Sequence, residues 1–181
     1  MRSVLPALLL LSAALVACRP QEVRAPDAYP LSGTVAGSWG DSPRLSLALV
    51  GVGIPSTFKN ESDIGQNVVV SGTNQWDYGF DLPSPGLFNV AGVYQVVAFD
   101  DANNDRTYQV GETVARNRKW LVVSPTDANI PAVTLPAFLG GGEALPAMTV
   151  RSGWNVYDQS QPLGSANPVP FTTLLGYDLS R

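Results

Sequence analysis

Short runs of strand-forming residues recur along this chain, and they constrain its fold more than any other feature of the sequence. Apolar side chains alternate in residues 44–50 (RLSLALV), where Leu45, Leu47 and Leu49 share one face. The run 93–100 (VYQVVAFD) is the strongest, because β-branched and aromatic residues fill it. We find no amphipathic helix of useful length, so the chain is predicted to be all-β.

Glycine- and proline-rich joints separate these runs, as expected for short strands joined by turns. Further strands are predicted at 31–37, 67–72, 75–83, 118–124, 147–158 and 171–179, with Trp76, Tyr78 and Phe80 on one face. Residues 128–136 are strand-like but contain Pro131, which suits an edge strand. Residues 55–66 are polar and are predicted to form a long loop. Short strands in this number, about eight or nine, favour an antiparallel β-sandwich.

The first residues, MRSVLPALLLLSAALVAC, have the features of a secretory signal. Arg2 provides a positive start, and the apolar run 4–16 is too short to span a bilayer core of about 30 Å. The end of the run, Leu15-Val16-Ala17-Cys18, resembles the lipobox of bacterial lipoproteins. This resemblance implies an acyl chain such as palmitate on Cys18; the alternative is an ordinary signal peptide with an incidental cysteine.

The chain of 181 residues is predicted to divide into four parts. Residues 1–17 form the signal peptide, and the polar, proline-bearing residues 18–29 form a flexible, lipidated tether. Residues 30–138 form the β-sandwich domain. Residues 139–181 form a C-terminal β extension that packs on the sandwich, after a hinge-like linker at 139–146.

Composition excludes several kinds of chemistry. The chain has no histidine, and its single cysteine can form neither an internal disulfide nor a thiolate metal cluster. Its net charge of −4 disfavours a nucleic-acid partner. Carboxylates that could still serve a glycosidase are Asp77, Asp81, Asp100, Asp101 and Glu143, but solvation at the surface explains them more simply. The protein is therefore predicted not to be an enzyme.

The stretch 101–112 (DANNDRTYQVGE) carries oxygen donors at alternate positions. Calcium takes six to eight oxygen ligands at about 2.3–2.6 Å, and this spacing can direct such oxygens inward. The predicted Ca²⁺ ligands are Asp101, Asn103, Asp105, Thr107, Gln109 and Glu112. Two residues depart from the usual calcium loop: Arg106 stands where a glycine makes the sharp turn, and Tyr108 replaces an aliphatic residue.

A β-strand precedes this stretch, so the sequence does not predict an EF-hand. The stretch resembles the D-x-N-x-D…GE loops of bacterial surface β-sandwiches, such as the B-type repeats of adhesins. The order of strands over 31–135 also resembles prealbumin-like or immunoglobulin-like modules. A calcium ion here would have a structural role, and three carboxylates with an imperfect turn at Arg106 predict weak affinity. The alternative is an empty acidic turn, because Asp and Asn favour turns in any case.

The predicted function is a non-catalytic binding or scaffolding role in the bacterial cell envelope. The protein would be held by the lipid on Cys18, with the outer membrane or cell surface favoured because no aspartate follows the cysteine. Its expected partners are the membrane and an envelope protein or polysaccharide. The alternative is a carbohydrate-binding module that uses exposed tryptophans, although the four tryptophans more simply fill the core. The sequon Asn60-Glu61-Ser62 is interpreted as part of a loop.

Overall fold

The structure is a computed structural model that describes residues 23–54, 57–85, 91–135 and 144–181. Within these ranges the chain forms β-strands and one short 3₁₀ helix, Pro26–Ala28, and contains no α-helix. No helix in the described ranges is long and apolar enough to cross a membrane. The predicted all-β class is therefore confirmed.

The described residues contain fifteen strands, several of them only two or three residues long. In chain order they are β1 (Leu31–Ala36), β2 (Leu45–Gly53), β3 (Thr57–Glu61), β4 (Gln66–Gly72), β5 (Gln75–Phe80), β6 (Gly92–Asp100), β7 (Val114–Ala115), β8 (Lys119–Ser124), β9 (Ala128–Ile130), β10 (Val133–Thr134), β11 (Ala144–Leu145), β12 (Met148–Val150), β13 (Gly153–Asp158), β14 (Val169–Phe171) and β15 (Leu179–Ser180).

Two main sheets form the sandwich. The smaller sheet has the order β15-β1-β5-β4, in which β15 runs parallel to β1 and the other pairs are antiparallel. The larger sheet has the order β14-β13-β8-β6-β2-β3, all antiparallel, with β7 added beside β6. Two small antiparallel pairs, β9–β12 and β10–β11, lie outside these sheets.

The larger sheet is buried on both faces, because alternate residues of its strands enter two different cores. On β6, Tyr94 and Val96 join a core with β1 and β5 of the smaller sheet, whereas Val97 and Phe99 join a second core with the small β pairs. This explains why β6 is a continuous apolar run rather than an alternating one. Each large apolar side chain buried here contributes roughly 1.5–3 kcal/mol of hydrophobic stabilisation.

Most of the predicted strands are observed, with four differences in their extent. The predicted strand 171–179 is wrong, because only its first residue lies in β14 and only its last in β15. The predicted strand 147–158 is divided into β12 and β13. Residues 57–61 of the predicted long loop form β3, which pairs with β2 in a register that places Asn60 opposite Val50. The polar sequence gives no sign of this strand, because edge pairing uses backbone groups. The predicted segment 128–136 is split into β9 and β10, which lie on either side of Pro131.

The C-terminal residues contribute to both main sheets. Strand β13 pairs with β8 in the larger sheet, and β15 adds to β1 in the smaller one. Tyr177 between them is fully buried; its hydroxyl donates to the carbonyl of Lys119 at 2.8 Å, and its own carbonyl accepts from the hydroxyl of Tyr78. Burial raises the pKa of both tyrosines. A division of the chain at residue 139 stays a prediction, since residues 136–143 lie outside the described ranges.

The prediction of a flexible tether over 18–29 is wrong for its last six residues. Tyr29 is buried at 2% exposure, and Gly79 provides the space for its ring, since a Cβ there would lie 2.3 Å from Tyr29 Cδ2. The guanidinium of Arg24 lies 4.0 Å from the centre of that ring and pairs with Asp81 at 2.5 Å. Asn67 also donates to the carbonyl of Arg24 at 2.7 Å. Residues 24–29 therefore pack against β4 and β5.

Candidate metal site

The loop predicted to bind calcium connects β6 to β7, and its first residue is fixed to the sandwich. The backbone N–H of Asp101 donates to the carbonyl of Arg44 at 2.9 Å, and Asp100 Oδ1 accepts from the N–H of Arg44 at 3.0 Å. Asp101 is only 2% exposed. Its carboxylate oxygens accept from the N–H groups of Asp105, at 3.0 Å, and Arg106, at 3.1 Å. The buried carboxylate thus organises the turn that follows it.

Asp105 is the centre of the hydrogen-bond network in this loop. Its Oδ2 accepts from the side-chain amides of Asn103, at 2.9 Å, and Gln109. Its Oδ1 accepts from the N–H of Thr107 at 2.8 Å, and its own N–H donates to Asn103 Oδ1 at 3.1 Å. The structure therefore brings together four of the six predicted ligands: Asp101, Asn103, Asp105 and Gln109.

The other two predicted ligands make more local contacts. The hydroxyl of Thr107 donates to the carbonyl of Asp105 at 3.4 Å. A carboxylate oxygen of Glu112 accepts from the backbone N–H of Gln109 at 2.7 Å, and the N–H of Glu112 donates back to the carbonyl of Gln109 at 3.1 Å. Glu112 thus closes the end of the loop through the backbone of Gln109, and it has no direct hydrogen bond to Asp105 among the contacts described.

The backbone makes a sharp turn at Arg106, the position at which the usual calcium loop has a glycine. This residue has φ +60°, in the left-handed region, and Asn104 has φ +59°. A residue with a Cβ pays roughly 1–2 kcal/mol for this conformation. The two backbone hydrogen bonds to Asp101 hold it there, and the Arg106 side chain is exposed to solvent.

Tyr108 anchors the middle of the loop to the larger sheet. Its ring is buried 5.7 Å from the ring of Phe99, and burial, followed by the charge of Glu112, raises its pKa. Its N–H donates to Ser62 Oγ at 3.2 Å, and its carbonyl accepts from Asn60 Nδ2 at 2.6 Å. The sequon residues Asn60 and Ser62 thus hold the loop. The sequence does not indicate this role, because it depends on the pairing of β3 with β2.

The donor set determines which ions this loop could accept. The described residues contain no group of three or more Asp, Glu, His or Cys side chains that could hold a metal. An ion here would depend on amide, hydroxyl and carbonyl oxygens beside the carboxylates, and such a mixed oxygen set suits calcium. A half-turn of the Gln109 amide exchanges its nitrogen for its oxygen, so the group that now donates to Asp105 can become a ligand.

The tryptophans do not form an exposed platform. Trp39, Trp120 and Trp154 are buried, and Trp76 is half-buried against the first core. Three of the carboxylates considered for catalysis have structural contacts: Asp81 pairs with Arg24, and Asp100 and Asp101 accept from backbone N–H groups. Cys18 and Glu143 lie outside the described residues, so the lipidation site stays a prediction.

Comparison with known proteins identifies no matching family model, no similar curated protein and no similar solved structure. The class of protein is therefore defined by the fold alone: an antiparallel β-sandwich whose larger sheet separates two cores and carries an anchored, oxygen-rich loop.

Proposed function

We propose that this protein is a non-catalytic lipoprotein of the bacterial cell envelope, in which the β6–β7 loop binds one structural calcium ion. The lipid on Cys18 would hold it to the membrane, and the sandwich would serve as a binding or scaffolding module for an envelope protein or polysaccharide. The observation that carries the metal part of this proposal is the assembly of Asp101, Asn103, Asp105 and Gln109 around one point of the loop.

Asp101, Asn103, Asp105 and Gln109 would hold the ion through side-chain oxygens, with Thr107 and Glu112 completing the shell. When bound, calcium would neutralise the clustered carboxylates and cross-link the two ends of the loop. Extracellular calcium modules typically bind with a Kd of about 10⁻⁴–10⁻³ M, and this loop with its non-glycine turn belongs in that range. The role of the ion would be structural, because the loop is anchored at Tyr108 and joins β6 to β7.

Thermal unfolding of the unlipidated chain that starts at residue 19 tests the calcium proposal. Calcium at ten times its Kd should add about 1.4 kcal/mol and raise Tm by about 3–6 °C, and a chelator should reverse the rise. Glu112→Gln should abolish the rise, because it removes a charge from the shell while keeping an oxygen that accepts from Gln109. Asp27→Asn removes an exposed carboxylate of the 3₁₀ helix Pro26–Ala28 and should leave the rise intact.

An identical Tm with calcium and with chelator would contradict the metal proposal and leave an acidic turn.

The lipid anchor is tested separately. Cys18→Ser should shift the protein from the membrane fraction to the soluble fraction and abolish metabolic labelling with a fatty acid. Membrane retention of that variant would contradict anchoring through Cys18.

A further inference from the structure

A polar pocket lies away from the loop, where the turn between β7 and β8 meets the C-terminal strand. It has a volume of about 300 Å³ and is lined by Gln95, Arg116, Asn117, Arg118, Trp120, Gln159 and Ser180. Paired backbone hydrogen bonds between Arg116 and Ser180, both at 3.1 Å, join the larger sheet to the smaller one at this place. The pocket is therefore built from residues that the fold holds in position.

Two buried polar atoms in this pocket have no hydrogen-bond partner among the described residues. Gln95 and Trp120 are each 1% exposed, and the atoms concerned are Gln95 Oε1 and Trp120 Nε1. Gln95 Nε2 donates to the carbonyls of Asn117, at 2.8 Å, and Lys119, at 3.4 Å, so the amide cannot be turned over without losing these bonds. A buried polar group without a partner costs about 1–3 kcal/mol, so a molecule that bonds to both atoms would be stabilised here.

The charge around the pocket is positive, although the whole chain is acidic. Arg116, Arg118 and Lys119 lie within four consecutive residues, and the chain has only 11 basic residues in all. Lys119 is directed away, since its Nζ donates to the carbonyl of Gly176 at 3.0 Å. Asp158 lies near Arg118 and Lys119, whose charges contribute, after its hydrogen bonds to Ser160, to lowering its pKa. The charged residues that line the pocket itself, Arg116 and Arg118, are both cationic.

We infer that this pocket binds a small hydroxylated anion, with the size and chemistry of a sugar acid. The guanidinium groups of Arg116 and Arg118 match the two oxygens of a carboxylate, and the indole N–H of Trp120 supplies a third donor. Gln95 Oε1 is an acceptor and would repel a bare anion, so it requires a hydroxyl group on the same ligand. The volume is at the lower end of small-molecule pockets and fits one monosaccharide.

The experiment is a titration of the unlipidated chain with glucuronate, followed by the indole N–H resonance of Trp120 in NMR spectra. Trp120→Phe, which keeps most of the packing, assigns that resonance by its disappearance. We expect the resonance to shift with a Kd in the millimolar range or tighter. Glucose, which lacks the charge, and sulfate, which lacks a hydroxyl, should each bind at least tenfold more weakly.

Arg118→Gln changes an exposed residue and should weaken glucuronate binding about tenfold with an unchanged Tm, the effect expected for one lost charged contact. Arg151→Gln, at an exposed arginine paired with Asp127 elsewhere, is the matched control and should bind as the parent does. A Trp120 resonance that does not respond to glucuronate would overturn the inference and assign the two buried atoms to water. Equal binding of sulfate would overturn the assigned role of Gln95.

Discussion

At the scale of single residues, close backbone approaches decide how the C-terminal part of the chain meets the sandwich. Gly33 on β1 lies directly against the backbone of Tyr177: a Cβ at residue 33 would be 2.6 Å from the carbonyl carbon and oxygen of Tyr177. Backbone atoms cannot move aside as the end of a flexible side chain can. The absence of a side chain at Gly33 is therefore a condition for burying Tyr177 and pairing β15 with β1.

Gly33→Ala should destabilise the protein by about 1–3 kcal/mol, because the added methyl group overpacks a site closed by backbone. Urea unfolding followed by circular dichroism measures this change. Gly164→Ala is the matched control, since a Cβ at residue 164 meets no atom within 4 Å, and it should leave the free energy of unfolding nearly unchanged. Equal stability of the two variants would show that the contact with Tyr177 relaxes freely.

At the scale of elements, β6 and the loop after it connect the two cores to the candidate metal site. The strand sends alternate side chains into both cores, so its end at Asp100 is held rigidly. The loop then returns to the same sheet at Tyr108, whose backbone is bound by Asn60 and Ser62 at the end of β3. The segment that carries the oxygen donors is thus held at both ends, by Asp101 at its start and by Tyr108 at its end.

Ser62→Ala should loosen this loop without disturbing the cores. Two hydrogen bonds of the Ser62 hydroxyl are lost, one accepted from the Tyr108 N–H and one donated to Asn60 Oδ1 at 3.3 Å. Each typically contributes about 0.5–1.5 kcal/mol. Hydrogen exchange should become faster across residues 101–112, and calcium affinity should fall roughly two- to tenfold if the ordered loop is the binding form. Ser71→Ala, at an exposed position of β4, is the control and should change neither quantity.

An unchanged exchange rate in Ser62→Ala would mean that Asn60 and the Tyr108 ring suffice to hold the loop. Faster exchange with unchanged calcium affinity would instead separate the anchoring of the loop from the proposed binding of the ion. The two readouts therefore test the element and its function independently.

At the scale of the whole molecule, the folded unit begins earlier than the sequence patterns indicate. Residues 24–29 cover part of β4 and β5, with Tyr29 buried over Gly79 and Arg24 paired with Asp81. The ion pair is half-exposed and contributes little by itself. The burial of the Tyr29 ring contributes most of the stabilisation that this segment provides.

A chain that starts at residue 30 should be less stable than one that starts at residue 23 by about 2–4 kcal/mol, by analogy with removal of a buried aromatic side chain. Urea unfolding of the two chains measures the difference. Arg24→Ala in the longer chain should account for only a small part of it. Equal stability of the two chains would restore the flexible tether as the correct description of residues 24–29.

The sequence by itself determined the all-β class, the position of β6 and the set of oxygen donors in the β6–β7 loop. These features depend on side-chain periodicity and residue type over a few neighbouring positions, which can be read locally. It also correctly placed Leu45, Leu47 and Leu49 on one face of a strand, and Trp76, Tyr78 and Phe80 on one face of another. The structure shows that these two faces contribute to the same core. The calcium ion and the lipid on Cys18 remain predictions.

Only the tertiary structure decided how these elements meet. The strand β3, the second core, the packing of residues 24–29 and the anchoring of Tyr108 by Asn60 and Ser62 all join positions far apart in the chain. Most of these contacts use backbone groups or a missing side chain, as at Gly33 and Gly79, and these leave no periodic pattern in the sequence. The pocket at Gln95 and Trp120 also depends on the tertiary structure, because only folding buries its two polar atoms and leaves them without a hydrogen-bond partner.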